Sequence, residues 1–305
     1  MEADAAEDAV VAGADIMNAF HDKVGLGWRS DLAAGIFSHF DRIDLLEVIA
    51  DDFFGAPRRE VHALKTLSSE VSVVLHGVSM GLASSAPVET KRLENMARLI
   101  DQVRPQFWSE HLAFVRGGGI EIGHLAAPPR TADTVEGAAE NLSRASALVG
   151  SKPIVENIAT LIDPPGSTLS EPAWISGILA SADCDLLLDL HNVYANGLNH
   201  GYDPKGFLRQ VPSGRLGVIH IAGGDFISAP DGRQRLLDDH LHDVSDPVFE
   251  LLEEAAAISP NPLTVILERD GAYPSMDCLL AQIEQARQAL ARGRARHNAL
   301  QEVLE

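Results

Sequence analysis

Six short apolar runs in this chain end on, or within a residue or so of, a histidine or a carboxylate: His76 in SVVLHG, His111 in FWSEHL, Glu156 in PIVENI, Asp189 in DLLLDL, His220 in GVIHIAG and Glu268 in LTVILERD. A seventh segment, 236–240, adds Asp238 and His240 as an Asp-x-His pair. Buried imidazoles and carboxylates are costly unless something pairs with them. A bound cation reverses that cost for a cluster of acids. One ion takes about four to six ligands, so this set of histidines and acids suits about two or three ions, with Glu156 or Asp189 as a bridge. Mixed imidazole and carboxylate ligation without thiolate fits Fe, Mn or Zn better than an all-oxygen Mg or Ca centre. Each residue alone has an ordinary reading as a satisfied core histidine, a helix cap or, for 238–243, a solvated loop. The recurrence favours a shared site.

The elements that must position these residues follow from the apolar pattern. Segments 24–28, 43–49, 71–76, 107–111, 153–157, 186–190, 217–222 and 263–268 read as eight strands. Their apolar runs are continuous rather than alternating, which points to a parallel sheet covered on both faces. Helical patterns at 88–103, 134–149, 171–179, 246–258 and 275–290 lie between them, the second closed by Gly150. Strands alternating with helices predict an α/β chain folded as a (β/α)₈ TIM barrel in a single domain. A doubly wound sheet is the weaker alternative, because Gly25-Leu26-Gly27 lacks the third glycine of a phosphate loop. Barrel active sites lie at the C-terminal ends of the strands, where the predicted ligands fall. Asp238 and His240 are expected in the loop after the seventh strand.

Composition bounds the partners. The chain has 305 residues, 46% of them apolar, which is enough for one large core. Its formal charge of −20 argues against nucleic acid or anionic membranes as ligands. Pro57-Arg58-Arg59 is too short to make a basic run. The acidic surface favours a partner or leader peptide with basic residues. Cys184 and Cys278 are expected as buried reduced thiols. There is no apolar run of about 18 residues, and the N-terminus has no basic signal region, so a cytoplasmic location is expected. Residues 1–22 read as an acidic tail or helix, 23–292 as the barrel and 293–305 as a helical tail. His21, His39, His62, His124 and His242 read as surface or loop histidines.

Further polar residues stand beside the ligands. Asn157, Asn192, Asn199 and His200 are placed to orient ligands or meet substrate, and His200 to bind metal itself. Glu110, Arg269 and Asp270 flank ligands and would set their charge, with a salt bridge at the rim as the plainer role for Arg269.

The ordered motifs Leu75-His76-Gly77, Ser109-Glu110-His111-Leu112, Glu156-Asn157-Ile158, Leu188-Asp189 with Asn192-Val193-Tyr194, Asn199-His200-Gly201, Ile219-His220-Ile221-Ala222-Gly223, Asp238-x-His240 and Glu268-Arg269-Asp270 resemble the multinuclear non-haem iron-dependent oxidases, the group containing the oxidase of methanobactin biosynthesis. The resemblance covers about residues 24 to 290. It implies a xylose-isomerase-like barrel holding two or three irons in mixed Fe(II)/Fe(III) states, ligated by His76, His111, Glu156, Asp189, His220, Asp238, His240 and Glu268. It also implies O₂ as cosubstrate. The substrate would be a ribosomally synthesised precursor peptide, often modified at cysteine, and a small partner protein would present it. No catalytic residue is assigned beyond the metal cluster. Departures from the family pattern are Glu110 for the usual Asp, His191 where Asn is common, Pro128-Pro129-Arg130 in place of a Pro-Tyr segment, and Asp51-Asp52 for Glu-Asn. None is expected to touch a predicted ligand. Rival readings are a Mn- or Mg-dependent sugar isomerase or epimerase, a metal-dependent phosphodiesterase, disfavoured by the acidic charge, and a non-catalytic metal-storage or peptide-binding barrel.

Overall fold

A computed structural model describes residues 21–228 and 232–304. The expected N-terminal tail therefore lies, but for its last two residues, outside the described residues. The strands are β1 (Lys23–Gly27), β2 (Leu45–Ile49), β3 (Ser72–Gly77), β4 (Trp108–His111), β5 (Phe114–Gly117), β6 (Ile120–Ala126), β7 (Ile154–Glu156), β8 (Leu186–Asp189), β9 (Leu216–Ile221), β10 (Gly224–Ser228), β11 (Gln234–Asp238) and β12 (Thr264–Leu267). The α-helices are α1 (Ala33–Phe37), α2 (Arg58–Glu70), α3 (Thr90–Val103), α4 (Ala132–Val149), α5 (Glu171–Ala182), α6 (Leu190–His200), α7 (Pro204–Leu208), α8 (Asp246–Ile258) and α9 (Met276–Leu304). Eight strands close a barrel in the order β1-β12-β9-β8-β7-β4-β3-β2, every neighbouring pair parallel. This is the (β/α)₈ barrel that the alternation of runs predicts.

Beyond that pattern are the helices α1, α2, α6 and α7 and two antiparallel hairpins, β5–β6 and β10–β11, inserted after β4 and β9. The first turns through Gly118 and Gly119, whose φ values of 59° and 80° suit glycine. Asp238 is thus the last residue of strand β11 rather than a loop residue, because the segment after β9 folds back on itself. Helix α6 begins directly at the end of β8, with Asp189 serving as both the last strand residue and the helix cap. That leaves no turn signal in the sequence to mark the helix.

The barrel interior is layered, as alternation along a strand requires. Leu45, Val74, Leu187, Val218 and Ile266 form a closed apolar cluster, separate from the main core, with Phe107 and Ile154 packed against it. Two residues further along the same strands stand Glu47, His76, Asp189, His220, Glu268, Ser109 and Glu156. One inward layer is therefore a hydrophobic floor and the next is polar. The intervening residues, such as Leu46, Leu75, Leu188 and Ile219, join the core between strands and helices.

Below the floor the barrel is tied to its last helix. Arg294 is buried, donates to Asp22 and to the carbonyls of Ala256, Ser259 and Asn261, and lies in α9, which runs unbroken past residue 292. Cys184 is buried, but Cys278 is exposed, contrary to expectation. It lies on the outer side of the first turn of α9, where the apolar neighbours in sequence face the other way. Among the described residues no helix is long and apolar enough to cross a membrane.

Candidate metal centre

The polar layer converges on Glu156, which ends β7 and is buried. Its Oε2 lies 3.4 Å from His76 Nε2 and 3.5 Å from His111 Nε2. Its Oε1 lies 3.1 Å from His220 Nδ1, which is also 3.0 Å from Glu268 Oε2. Two overlapping sets of potential ligands result, His76, His111 and Glu156 in one and Glu156, Asp189, His220 and Glu268 in the other. Asp238 and His240 stand beside them, with 2.8 Å between Asp238 Oδ1 and His240 Nε2 and 3.8 Å from His240 Nδ1 to Glu268 Oε2. His240 has φ 54°, a left-handed conformation that is uncommon for a residue with a side chain. All eight residues singled out in the sequence thus line one end of one barrel.

The imidazoles are held from behind. His76 Nδ1 meets Ser109 Oγ at 2.8 Å, leaving Nε2 to face Glu156. His220 Nε2 meets Glu47 Oε2 at 2.9 Å, leaving Nδ1 to face Glu156 and Glu268. A carboxylate behind an imidazole fixes the ring and raises its basicity. Burial opposes a charged His220, but Glu268, Glu47 and Glu156 outweigh it and hold its pKa well above the usual histidine value. Burial likewise opposes protonation of His111, and Glu156 and Glu110 overcome it, pushing the ring up to about 9. Asp189 is pushed well above the carboxylate range, first by burial and then by Asp238, Glu156 and Glu268.

Glu47, not among the candidates drawn from the sequence, also belongs to the centre. The signal was present, since Leu45-Leu46-Glu47 has the same inward period as Leu187-Leu188-Asp189. His191 is the second omission. It is buried, neither ring nitrogen has a hydrogen-bond partner, and Nε2 lies 3.8 Å from Asp238 Oδ1. The departure from the family pattern at His191 thus does reach a predicted ligand, because α6 starts beside β11. So does that at Glu110, whose Oε1 lies 3.6 Å from His111 Nδ1 and whose Oε2 accepts from the Met80 amide.

The remaining flanking residues divide into those at the centre and those that brace it. Asn157 clamps the Asp189 backbone, accepting from its N–H and donating to its carbonyl, and Asn192 donates its side-chain amide to the Asn157 carbonyl and its backbone N–H to the capping Asp189 carboxylate. Asn199 pairs with both backbone groups of Leu236. His200 faces Thr160, 2.9 Å from its hydroxyl, and does not join the cluster. Arg269 donates to the Gly271 and Ala272 carbonyls and meets Asp243, so it holds a rim loop. Asp270 pairs with Arg29 and lies 3.4 Å from His240 Nδ1.

Residues 23–291 match the family described as RiPP precursor modification enzyme MbnB/TglH/ChrH. The chain belongs to this family. Among its relatives are UPF0276 proteins of Acaryochloris marina (32% identical, 86% of this chain and 92% of that one) and Caulobacter vibrioides (32% identical, 90% and 96%). Similar solved structures include L-ribulose 3-epimerase (TM-score 0.58, 14% identical, 93% and 98% of the two chains) and 3-keto-D-glucoside 4-epimerase from E. coli (TM-score 0.57, 12% identical, 88% and 99%). At that identity the likeness concerns the fold, a xylose-isomerase-like barrel.

The family's site suits a metal ion here. Glu156 Oε2, Asp189 Oδ2, His111 Nδ1, Asp238 Oδ1 and His240 Nε2 are buried without a hydrogen-bond partner. The 2.8 Å approach of Asp238 to His240 therefore lacks hydrogen-bond geometry. Buried polar atoms of this kind are rare unless something else is bound to them. A cavity of about 430 Å³ opens onto the centre, with His111, Glu156, Asn192, Asp238 and His240 on its floor. Its walls come from β6, including His124, from the 158–165 loop and from β11. His124 is exposed, as expected, and also lines this cavity.

Proposed function

We propose that the protein is a multinuclear iron-dependent oxidase that uses O₂ to modify residues, cysteines above all, of a ribosomally made precursor peptide. The observation that carries this reading is the two-sided Glu156 carboxylate, with Oε2 toward His76 and His111 and Oε1 toward His220. A carboxylate so placed is suited to join two ions, one held by His76, His111 and Glu156 and the other by Glu156, Asp189, His220 and Glu268. Asp238 and His240, with His191 beside them, would serve a third position. Bound iron would supply the one-electron chemistry with O₂ that side chains lack.

The protein's own groups do the rest. Glu47 and Ser109 fix the two imidazoles. The largely apolar cavity walls would limit bulk water at the centre once a substrate segment fills the opening. No cysteine lines the described cavity, so a substrate thiolate would be the sulfur donor there. In this reading residues 23–292 form the catalytic domain, a small partner protein presents the peptide, and the protein works in the cytoplasm, where substrate thiols stay reduced.

Metal analysis combined with O₂ uptake on addition of a candidate cysteine-containing peptide tests the proposal. Iron in the purified protein and peptide-dependent O₂ consumption are expected. Metal-replete protein that contains no iron and consumes no O₂ would overturn it.

A further inference from the structure

Away from the barrel mouth the molecule carries a groove whose charge opposes that of the chain. It lies between α2 and α3, encloses about 640 Å³ and is lined by Arg58, His62, Lys65 and Arg98 above the half-buried rings of Phe53 and Phe54. Arg58, His62 and Lys65 recur at i, i+4 and i+7, so one face of α2 supplies them all. Among the described residues no carboxylate lines the groove. In a chain with 44 acidic and 24 basic residues, cations readily find acids. Elsewhere Arg29, Arg92, Arg116, Arg130, Arg215 and Arg287 have done so. Arg58, Lys65 and Arg98 form no ion pair among the described residues, and Arg98 donates only to Asn95 of its own helix. Like charges gathered on one surface repel unless an anion joins them.

We propose that this groove binds an acidic peptide segment that also carries apolar side chains. The cations of α2 are spread over about 10 Å, at about 1.5 Å per residue, which is more than one small anion spans. The apolar floor needs an apolar partner as well as a charged one. A polynucleotide is opposed by the net charge of −20. Phe53 and Phe54 follow the C-terminal end of β2, the end of the barrel at which the candidate ligands lie. One end of the groove therefore lies at the same end of the barrel as the candidate ligands. The inference rests on the peptide-modifying reading only for the owner of the segment, a recognition stretch of the substrate held outside the barrel. The charge preference of the groove stands without it.

The test uses the full-length purified protein and a fluorescein-labelled octapeptide that alternates Glu or Asp with Leu or Phe, read by fluorescence anisotropy. Saturable binding is expected, weakened several-fold between about 50 and about 300 mM salt and at least about tenfold by the double substitution Lys65→Glu/Arg98→Glu. The Gln/Asn analogue of the peptide should bind at least about tenfold more weakly. The milder Lys65→Gln/Arg98→Gln variant guards against misfolding, and unchanged circular dichroism certifies both. No binding, equal binding by wild type and variants, equal binding of the neutral analogue, or preference for a single-stranded oligonucleotide each overturns the proposal. Anisotropy requires neither iron nor O₂, so failure of the oxidase reading and failure of this one give different results.

Discussion

Glu47 shows how one residue sets what another can do. Its carboxylate engages His220 Nε2 and so turns Nδ1 toward Glu156 and Glu268. Glu47→Gln removes the charge while keeping the shape, and loss of such a partner costs roughly 10- to 100-fold in metal affinity. The variant should fold normally and retain less iron after dialysis. Iron retention equal to wild type would show that the contact is incidental. Glu171, at the start of α5, presents a separate case. Burial pushes its carboxyl up to about 7, with Arg130 opposing and Asp163 adding to the rise. A carboxyl raised on folding binds more protons folded than unfolded from its unfolded value of about 4.3 up to about 7, so its cost to stability appears as pH rises through that window. Glu171→Gln should therefore narrow the difference in Tm between about pH 5 and about pH 8. A difference as wide as in wild type would contradict the assignment.

The hairpins decide the outer half of the site. β11 carries Asp238 and is pinned to α6 by Asn199, which accepts from the Leu236 N–H and donates to its carbonyl at 2.9 Å each. Gly224 is required at the start of β10, where a Cβ would lie 1.9 Å from the Leu237 carbonyl and 2.6 Å from His191 Nε2. Asn199→Ala leaves both Leu236 groups unpaired in a buried place, at a cost of about 1–3 kcal/mol. Faster hydrogen exchange along β11 and a lower iron-to-protein ratio are expected, with the circular dichroism of the barrel retained. Exchange and iron content both matching wild type would remove β11 from the metal centre. The strands and the helices α3, α4, α5, α8 and α9 were legible from periodicity. The hairpins and α1, α2, α6 and α7 were not: α1 and α7 are too short to show a period, α2 buries only Leu64 and Leu67, no turn residue separates β8 from α6, and pairing between short strands is decided by what lies opposite them.

At the scale of the molecule, one end of the barrel gathers Glu47, Glu156, Asp189, Asp238 and Glu268 above an apolar floor. Closing the barrel forces these acids together, and burial together with their mutual repulsion keeps Asp189 well above its usual pKa. Cations bound only by the folded form add stability, about 2.7 kcal/mol at a hundredfold excess over Kd. Chelator-treated protein should thus melt several degrees lower in a calorimeter than iron-loaded protein, and added iron should restore the higher Tm. Identical melting with and without metal would argue that the centre binds none.

By itself the sequence determined the βα alternation, the barrel and the eight ligand candidates, because apolar runs that end in histidine or acid are local patterns and the barrel rule places all strand ends on one face. Only the tertiary structure decided that His191 belongs with them, that His200 does not, that Cys278 is exposed, and that Arg58, Lys65 and Arg98 share a groove. Those relations depend on which strands become neighbours, in what register, and on which helix faces meet. None of these is written within a single stretch of chain.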